Sequence, residues 1–358
     1  VGGYDRVMGP NGQAQYWAAD LACAYGILMD HHALTHPGAD GRAPSLVTTD
    51  PLDRDVSSYP YKGEGPFTTV GDVFDPAVNP GRKLPFDIRA VMGAVVDQDA
   101  VASERWRHMA DAAGAVVWET RLGGHPVTLV GMESRPTPRT GTVPVDGPSE
   151  WAGGTLYPAS SKKVARAIRS ASGNHPVVVL ANLSGFDGSP ESLRRLQLEY
   201  GAEIARAVVD FDGPIVFVVI GRYHGGAYVV FSKRLHPRLT ALAVEGSYAS
   251  VIGGAPAAAV VLTREVRSRV EADSAVVAAR RALDAAADAD VRLRCVEELE
   301  AARTAATQRC RAEVAAEFDG VHTVERAVAV GSLDAVIPVA RLRAAVADAL
   351  SADASGSG

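Results

Sequence analysis

The sequence predicts an α/β fold built on a parallel sheet, and two observations carry that reading. Three short apolar runs, Pro176–Ala181, Ile215–Ile220 and Leu239–Ala243, the first two rich in β-branched residues, read as buried strands. The stretches before and between them are helix-patterned, and strands separated by helices argue a parallel sheet with right-handed crossovers. At 358 residues, with 47% hydrophobic and 22% charged residues, the chain is globular and long enough for one large or two ordinary α/β domains.

In chain order, Tyr16 to Met29 has the pattern of an amphipathic helix, ended by His36-Pro37-Gly38. The following stretch to residue 86 is rich in Pro, Gly and Asp and is expected to be an irregular inter-domain linker. A helix begins at Asp87 to Val96, and Ala115 to Glu119 with Pro126 to Glu133 flank Leu122-Gly123-Gly124 as a hairpin. Residues 1–100 are therefore expected to form the tail of one domain plus linker, and residues 101–345 a second domain. Within it, a helix over Ser160 to Ser170 precedes the first parallel strand, and a helix over Pro190 to Phe211 precedes the second. Ser189-Pro190-Glu191 is a strong start for the latter: a capping oxygen, a proline at the first helical position and an acid near the positive dipole end. Residues 264–318 contain neither Pro nor Gly and predict a helical arm of two helices hinged near Asp288-Ala289-Asp290. Residues 346–358, ending Ser-Ala-Asp-Ala-Ser-Gly-Ser-Gly, are expected to be a disordered tail, and the Val1-Gly2-Gly3 opening suggests a fragment or processed piece.

Several function classes are disfavoured. A net charge of −6 argues against a nucleic-acid groove. No run reaches the ~18 apolar residues of a membrane span, so no anchor is expected. Cys23, Cys295 and Cys310 are odd in number and scattered, which suits a reducing, cytoplasmic setting without a disulfide framework or metal cluster. His31, His32 and His36 read as solvated histidines. Neither a Walker-type loop nor a Rossmann glycine fingerprint occurs. Ser184, Ser189, Asp187 and His224 invite a hydrolase reading, but Gly185-Phe186-Asp187-Gly188-Ser189 has the wrong order for a nucleophile elbow.

Two turns remain as candidate sites. The strand within residues 214–231 runs into Gly225-Gly226-Ala227-Tyr228, where glycines let bare N–H groups approach a ligand. Asn182 to Ser189 joins another strand to a helix N-terminus, the place where ligands collect in open α/β sheets. The two turns end successive strands and so can share one sheet edge.

Taken together, the segment from His175 to Arg264 resembles the C-terminal half of the carboxyltransferase of biotin-dependent acyl-CoA carboxylases. The match is ordered: the strand ending in Gly185-Phe186, Tyr200-Gly201-Ala202, the strand Pro214 to Ile220, Gly225-Gly226-Ala227-Tyr228, then Gly253-Gly254 before Arg264-Glu265. Asp50-Pro51-Leu52-Asp53-Arg54, Pro85-Phe86-Asp87-Ile88-Arg89 and Arg121-Leu122-Gly123-Gly124 resemble the family's linking segments, and Gly331-Ser332-Leu333-Asp334-Ala335-Val336-Ile337 its closing one.

The resemblance implies a crotonase-like fold of two related domains, with an active site at a dimer interface between the N-domain of one subunit and the C-domain of the other. It implies transfer of CO2 from carboxybiotin to the α-carbon of an acyl-CoA. The main-chain N–H groups of Gly226 and Ala227 would form the biotin-side oxyanion hole; Gly185, Phe186, Gly225 and Tyr228 would shape the biotin pocket. Val229 would tune acyl-chain choice and Arg264 would contact a CoA phosphate. Biotin would arrive on a carrier, with a biotin carboxylase and the carboxyltransferase N-domain as partners in a homo-oligomer, and the acyl-CoA oxyanion hole would lie in N-domain sequence. Leu183-Ser184 stands where eukaryotic-type members carry Trp-Arg. Alternatives are a decarboxylase subunit running the reverse transfer and a noncatalytic assembly partner.

Overall fold

A computed structural model describes residues 2–38 and 43–355. They divide into two compact units, Val1–Val251 with Val324–Gly358, and Ile252–Thr323. In the first unit, the early elements are α1 (Leu21–Thr35), α2 (Val70–Phe74), α3 (Ile88–Val95) and strands β1 (Ser103–Arg105), β2 (Ala115–Leu122) and β3 (His125–Met132). Then come β4 (Thr155–Leu156), α4 (Pro158–Ala171), β5 (Val177–Leu183), β6 (Gly185–Phe186), α5 (Pro190–Arg194) and α6 (Gln197–Val209). The series continues with β7 (Ile215–Tyr223), α7 (Gly226–Val230), β8 (Leu239–Val244) and β9 (Tyr248–Ala249).

The second unit carries α8 (Gly254–Pro256), α9 (Thr263–Ala272), α10 (Ser274–Ala285) and α11 (Ala289–Val321). The chain then returns to the first unit with α12 (Val324–Ala329), β10 (Ala335–Ile337) and α13 (Leu342–Ser355).

The main sheet is mixed, in the order β1-β2-β3-β5-β7-β8-β10, with β9 pairing the far end of β7. β1, β2 and β3 are antiparallel, and β3 through β10 pair in parallel. Strands buried on both faces need no polar alternation, and successive side chains of β5 and β7 go to opposite cores. Val177, Val179, Ile215 and Phe217 pack with α4 and α6, through Val164, Ile168, Ile204 and Val208. Val178, Leu180, Val216 and Val218 pack with α2, α3 and α13, through Phe74, Val91, Met92 and Val346.

Several differences from the sequence reading have local causes. The first helix starts at Leu21 because Asp20 caps it, accepting from the Cys23 amide at 2.8 Å. Its expected first turn is instead extended, and Gln15 bonds Arg105 and Trp106. The stretch read as a linker is packed: Val56, Phe67, Val70, Val73 and Phe86 belong to the core on the second face. The helix expected from Pro190 to Phe211 is broken at Leu196, whose φ of 67° is left-handed, and Gln197 then bonds Ser161 of α4 at 3.0 Å. The arm has three long helices rather than two, since Asp273 caps α10 as Asp288 caps α11. The C-terminal helix runs to Ser355, through part of the expected disordered tail; residues 356–358 lie outside the described ones. Among the described residues no helix is long and apolar enough to cross a membrane.

The segments at either end of the first unit meet around Arg343, which is fully buried. Its guanidinium donates to Asp97 Oδ1 at 2.7 Å, to the carbonyls of Val95 and Pro51, and lies 3.2 Å from Asp50 Oδ2. Asp97 also accepts the Gly123 and Gly124 amides at 2.7 and 2.8 Å, which fixes the β2–β3 hairpin turn. Asp50 and Arg54 pair at 2.7 Å. The Asp50–Arg54 and Arg121–Gly124 motifs are thus parts of one buried polar joint.

On α4, Lys163 is buried, and burial pulls its amine down to about 8, opposed by Glu104 and assisted by Arg89. The folded state therefore gives up this proton near pH 8 while the unfolded chain holds it to about 10.5. Between those values the unfolded state binds more protons, so stability rises with pH. Lys163→Met is expected to remove that rise and to be more stable than the parent at pH 7, a gain that shrinks as pH approaches 10.5. Urea denaturation across that range checks it; parallel curves for the two proteins would count against it.

Candidate active site

The site sits at the carboxyl ends of β5 and β7. Ala181 pairs with Val219, but Leu183 pairs with Tyr223, so β7 carries two extra residues across this step. Gly221 lies inside that irregularity, where a Cβ would stand 2.4 Å from Asn182 Oδ1. Beyond it the His224 amide donates to Leu183 O at 3.0 Å, Ser250 N donates to Tyr223 O at 3.1 Å, and Gly225 N donates to Val251 O at 2.9 Å. The last strand residues are thereby pinned on both sides.

Gly225 has φ 61° and ψ −138°, a conformation that excludes a β-carbon, and it turns the chain into the short helix α7. Gly226 and Ala227 occupy the first two positions of α7, where an amide has no intrahelical acceptor. Neither donates to another backbone group among the described residues. Ala227 is fully buried among the core residues, which holds the turn down on the core.

The Asn182–Ser189 turn lies against this one. Gly185 has φ 135°, and a Cβ there would meet Gly225 Cα at 3.7 Å; the reverse approach is 3.3 Å. Phe186 is seated between two glycines: a Cβ on Gly201 would come 2.7 Å from its ring and one on Gly226 2.4 Å. β6 is held by parallel pairing to β4, and the Ser184 amide donates to Gly154 O at 2.6 Å. Gly185, Phe186, Gly225, Gly226 and Ala227 are thus brought together.

Tyr228 is tied in from the other side. Its hydroxyl and Ser332 Oγ are 2.6 Å apart, and its carbonyl accepts from the Tyr223 hydroxyl at 3.2 Å. Burial, with Tyr228 next, holds the Tyr223 phenol well above its ordinary range, so it serves as a neutral donor. Ser332 comes from the Gly331–Ile337 segment, which is anchored where Asp334 accepts the Ala241 amide at 2.8 Å. Val229 is exposed, at 59% of its full surface. Arg264 is exposed at the start of α9, in the other compact unit.

The serine–histidine–aspartate set does not assemble. His224 Nδ1 lies 3.1 Å from Ser250 Oγ, while Ser189 caps α5 and bonds Asp187. His31 pairs with Tyr16 Oη at 3.4 Å, and the rings of His32 and His36 meet edge-on. Cys295 and Cys310 are buried in the helical unit, and Cys23 is exposed.

One residue that sequence reasoning missed lies behind the turn. Arg82, with a left-handed φ of 53° after Gly81 at 60°, is 5% exposed. Its guanidinium donates to Ile220 O at 3.0 Å and also bonds Ser247 Oγ and Glu245 O. Burial pulls it down to about 10, with Tyr248 opposing and Arg222 adding to the shift. It clamps β7 to the β8–β9 connection, and the segment just after β9 supplies the Val251 carbonyl that accepts from the Gly225 amide. Pro80-Gly81 signals a turn, but nothing local announces partners more than 130 residues away. Arg82→Met leaves the Ile220 and Glu245 carbonyls and the Ser247 hydroxyl without this donor and is expected to lower the unfolding free energy by about 1–3 kcal/mol, measured by urea denaturation. An unchanged unfolding midpoint in Arg82→Met would show that the clamp adds nothing to the stability of this end of the sheet.

A family model described as a carboxyl transferase domain matches residues 1–357. The chain belongs to that family. This carboxyl transferase domain is 26% identical to the mitochondrial acetyl-CoA carboxylase of Saccharomyces cerevisiae over 262 aligned residues, covering 66% of this chain and 10% of that protein. It is 33% identical to another acetyl-CoA carboxylase of that yeast over 137 residues, 35% of this chain and 6% of the relative. Acetyl-CoA carboxylase 1 of Arabidopsis thaliana matches at 26% over 249 residues, 65% and 10% of the two chains. Among solved structures, transcarboxylase 12S, a hexamer determined with hydrolysed methylmalonyl-coenzyme A, superimposes with a TM-score of 0.68 at 20% identity. That superposition covers 95% of this carboxyl transferase domain and 53% of the transcarboxylase chain, and it establishes a shared fold. The domain therefore spans about half the length of the transcarboxylase chain and about a tenth of the carboxylases.

Proposed function

We propose that this domain is the carboxyltransferase component of a biotin-dependent acyl-CoA carboxylase, acting in the cytoplasm. In this reading residues 101–345 are the C-domain of a crotonase-like pair, with residues 1–100 contributing the tail of the N-domain and the linker. Carboxybiotin, delivered on a partner protein or domain, supplies the CO2, and its ureido oxygen gains negative charge as the carboxylate leaves.

The observation that carries the reading is the pair of amides at Gly226 and Ala227, which sit at the end of a pinned strand and have no backbone acceptor among the described residues. Two adjacent fixed donors suit an oxygen that becomes anionic, and removing one such donor typically costs about 10²–10³ in rate. Gly185 and Gly225 present no side chain at this turn, the Phe186 ring packs beside Gly226, and Tyr228 closes the pocket wall. Val229 faces the acyl chain and Arg264 a CoA phosphate. The donors for the thioester oxygen come from the carboxyltransferase N-domain, and a biotin carboxyl carrier and biotin carboxylase complete the cycle within a homo-oligomer.

The test is reconstitution with an N-domain, a biotinylated carrier and a panel of acyl-CoAs. Carboxyl exchange with malonyl-CoA or methylmalonyl-CoA is expected; its absence with every pair would overturn the assignment. Exchange that runs only from malonyl-CoA or methylmalonyl-CoA toward biotin would replace it with the decarboxylase direction.

A further inference from the structure

Within the helical unit, α9 and α11 line an open cleft of about 260 Å³. On α11, Arg303, Thr307 and Arg311 recur every four residues and so share one face; on α9, Thr263, Arg267 and Glu271 do the same. Both rows line the cavity, over a floor that includes the buried Val266 and Val270.

The charge in this cleft is unbalanced. Three guanidinium groups line it against one carboxylate, Glu271, and that carboxylate already bonds Arg280 and lies 3.7 Å from Arg303. Arg303 reaches Glu300 only at 3.4 Å, and its Nε is buried with no hydrogen-bond partner among the described residues. Elsewhere in the unit Arg269 is closed by Glu265 and Glu317, and Arg309 by Asp273. Arg267 acts on Glu271 only through its charge, without a direct ion pair, and Arg311 makes no ion pair among the described residues.

We infer that this cleft is a binding site for a diphosphate group. Like charges converging on one cavity repel one another, and a bound anion offsets that repulsion. Guanidinium forks match phosphate oxygens two at a time, and three forks on two facing rows exceed what a single carboxylate can occupy. The cavity is below the ~300 Å³ at which pockets bury a drug-sized molecule, so it fits the diphosphate rather than a whole nucleotide. The group can come as free pyrophosphate or on a nucleoside diphosphate whose base stays outside.

Isothermal titration of the full chain with inorganic pyrophosphate, ADP and malonate distinguishes these cases. Pyrophosphate is expected to bind and malonate to bind at least tenfold more weakly. Equal affinities for pyrophosphate and ADP would identify the free anion as sufficient, and a tighter ADP would identify the nucleotide. Arg267→Ser/Arg311→Ser, at exposed positions, is expected to weaken pyrophosphate at least tenfold with an unchanged helical circular dichroism spectrum. Glu271→Gln, which removes the competing carboxylate, is expected to tighten it several-fold. No pyrophosphate binding at millimolar concentration, or binding that neither variant alters, would overturn the site.

Discussion

Gly226→Val is expected to reduce reconstituted carboxyl transfer by about 10²–10³-fold while leaving the chain folded, the scale on which loss of an oxyanion donor is felt. A β-carbon at this position would stand 2.4 Å from Phe186 Cδ2, inside any contact a real side chain makes. Phe186 cannot retreat toward α6, because the same ring already rests where a β-carbon of Gly201 would be 2.7 Å away. The strain falls on α7, whose first two amides are the proposed donors. Overpacking of this kind costs about 1–3 kcal/mol, which equilibrium unfolding measures separately. Pairing Gly226→Ala with Phe186→Leu relieves the crowding and is expected to recover part of the activity. Wild-type turnover in Gly226→Val would remove the turn from the mechanism and favour a noncatalytic role.

Arg343→Met is expected to lower the unfolding free energy by about 3–5 kcal/mol, because removing one member of a buried ion network strands the other. Asp97 is 1% exposed, and without Arg343 its side chain retains, among the described residues, the Gly123 and Gly124 amides; Asp50 keeps Arg54. Burial pushes the Asp50 carboxyl up, and the bonds from Arg54 and the Gln98 amide outweigh it and hold the group below its ordinary range. Adding Asp97→Asn to Arg343→Met neutralises the stranded charge and is expected to restore part of the loss. Urea denaturation of the two single variants and the double measures the coupling; simple additivity would show that the two side chains do not act together.

Much of the sheet is readable from the chain because its causes are local. The runs at β5, β7 and β8 are apolar on both faces, and those at β5 and β7 are rich in β-branched residues, as doubly covered parallel strands allow. Asp87 and Ser189 mark helix starts through side chains that cap amides two or three residues on. The two glycine turns are legible for the same reason: a backbone that must pass at Cα-to-Cα distance tolerates no side chain. The missed features depend on contacts that no local pattern encodes. The Pro- and Gly-rich stretch before residue 86 looks like a linker because its apolar residues, Val56, Phe67, Val70 and Val73, are spaced irregularly; they are buried only because the sheet offers a second face. Leu196 looks like a helix interior, and its left-handed backbone follows from the need to pack Gln197 on α4.

By itself the sequence determines the α/β class, the succession of central strands along the chain and the two glycine turns, since each rests on propensity, periodicity or backbone freedom within a few residues. The ordered run of motifs also indicates a carboxyltransferase resemblance. Only the tertiary structure decides that Gly185 and Gly225 face each other, that Phe186 is locked between Gly201 and Gly226, and that Arg82 and Arg343 hold distant segments together. The reason is physical: a buried guanidinium or ring is stable only where several remote groups converge to satisfy it, and that convergence exists only once the sheet has formed.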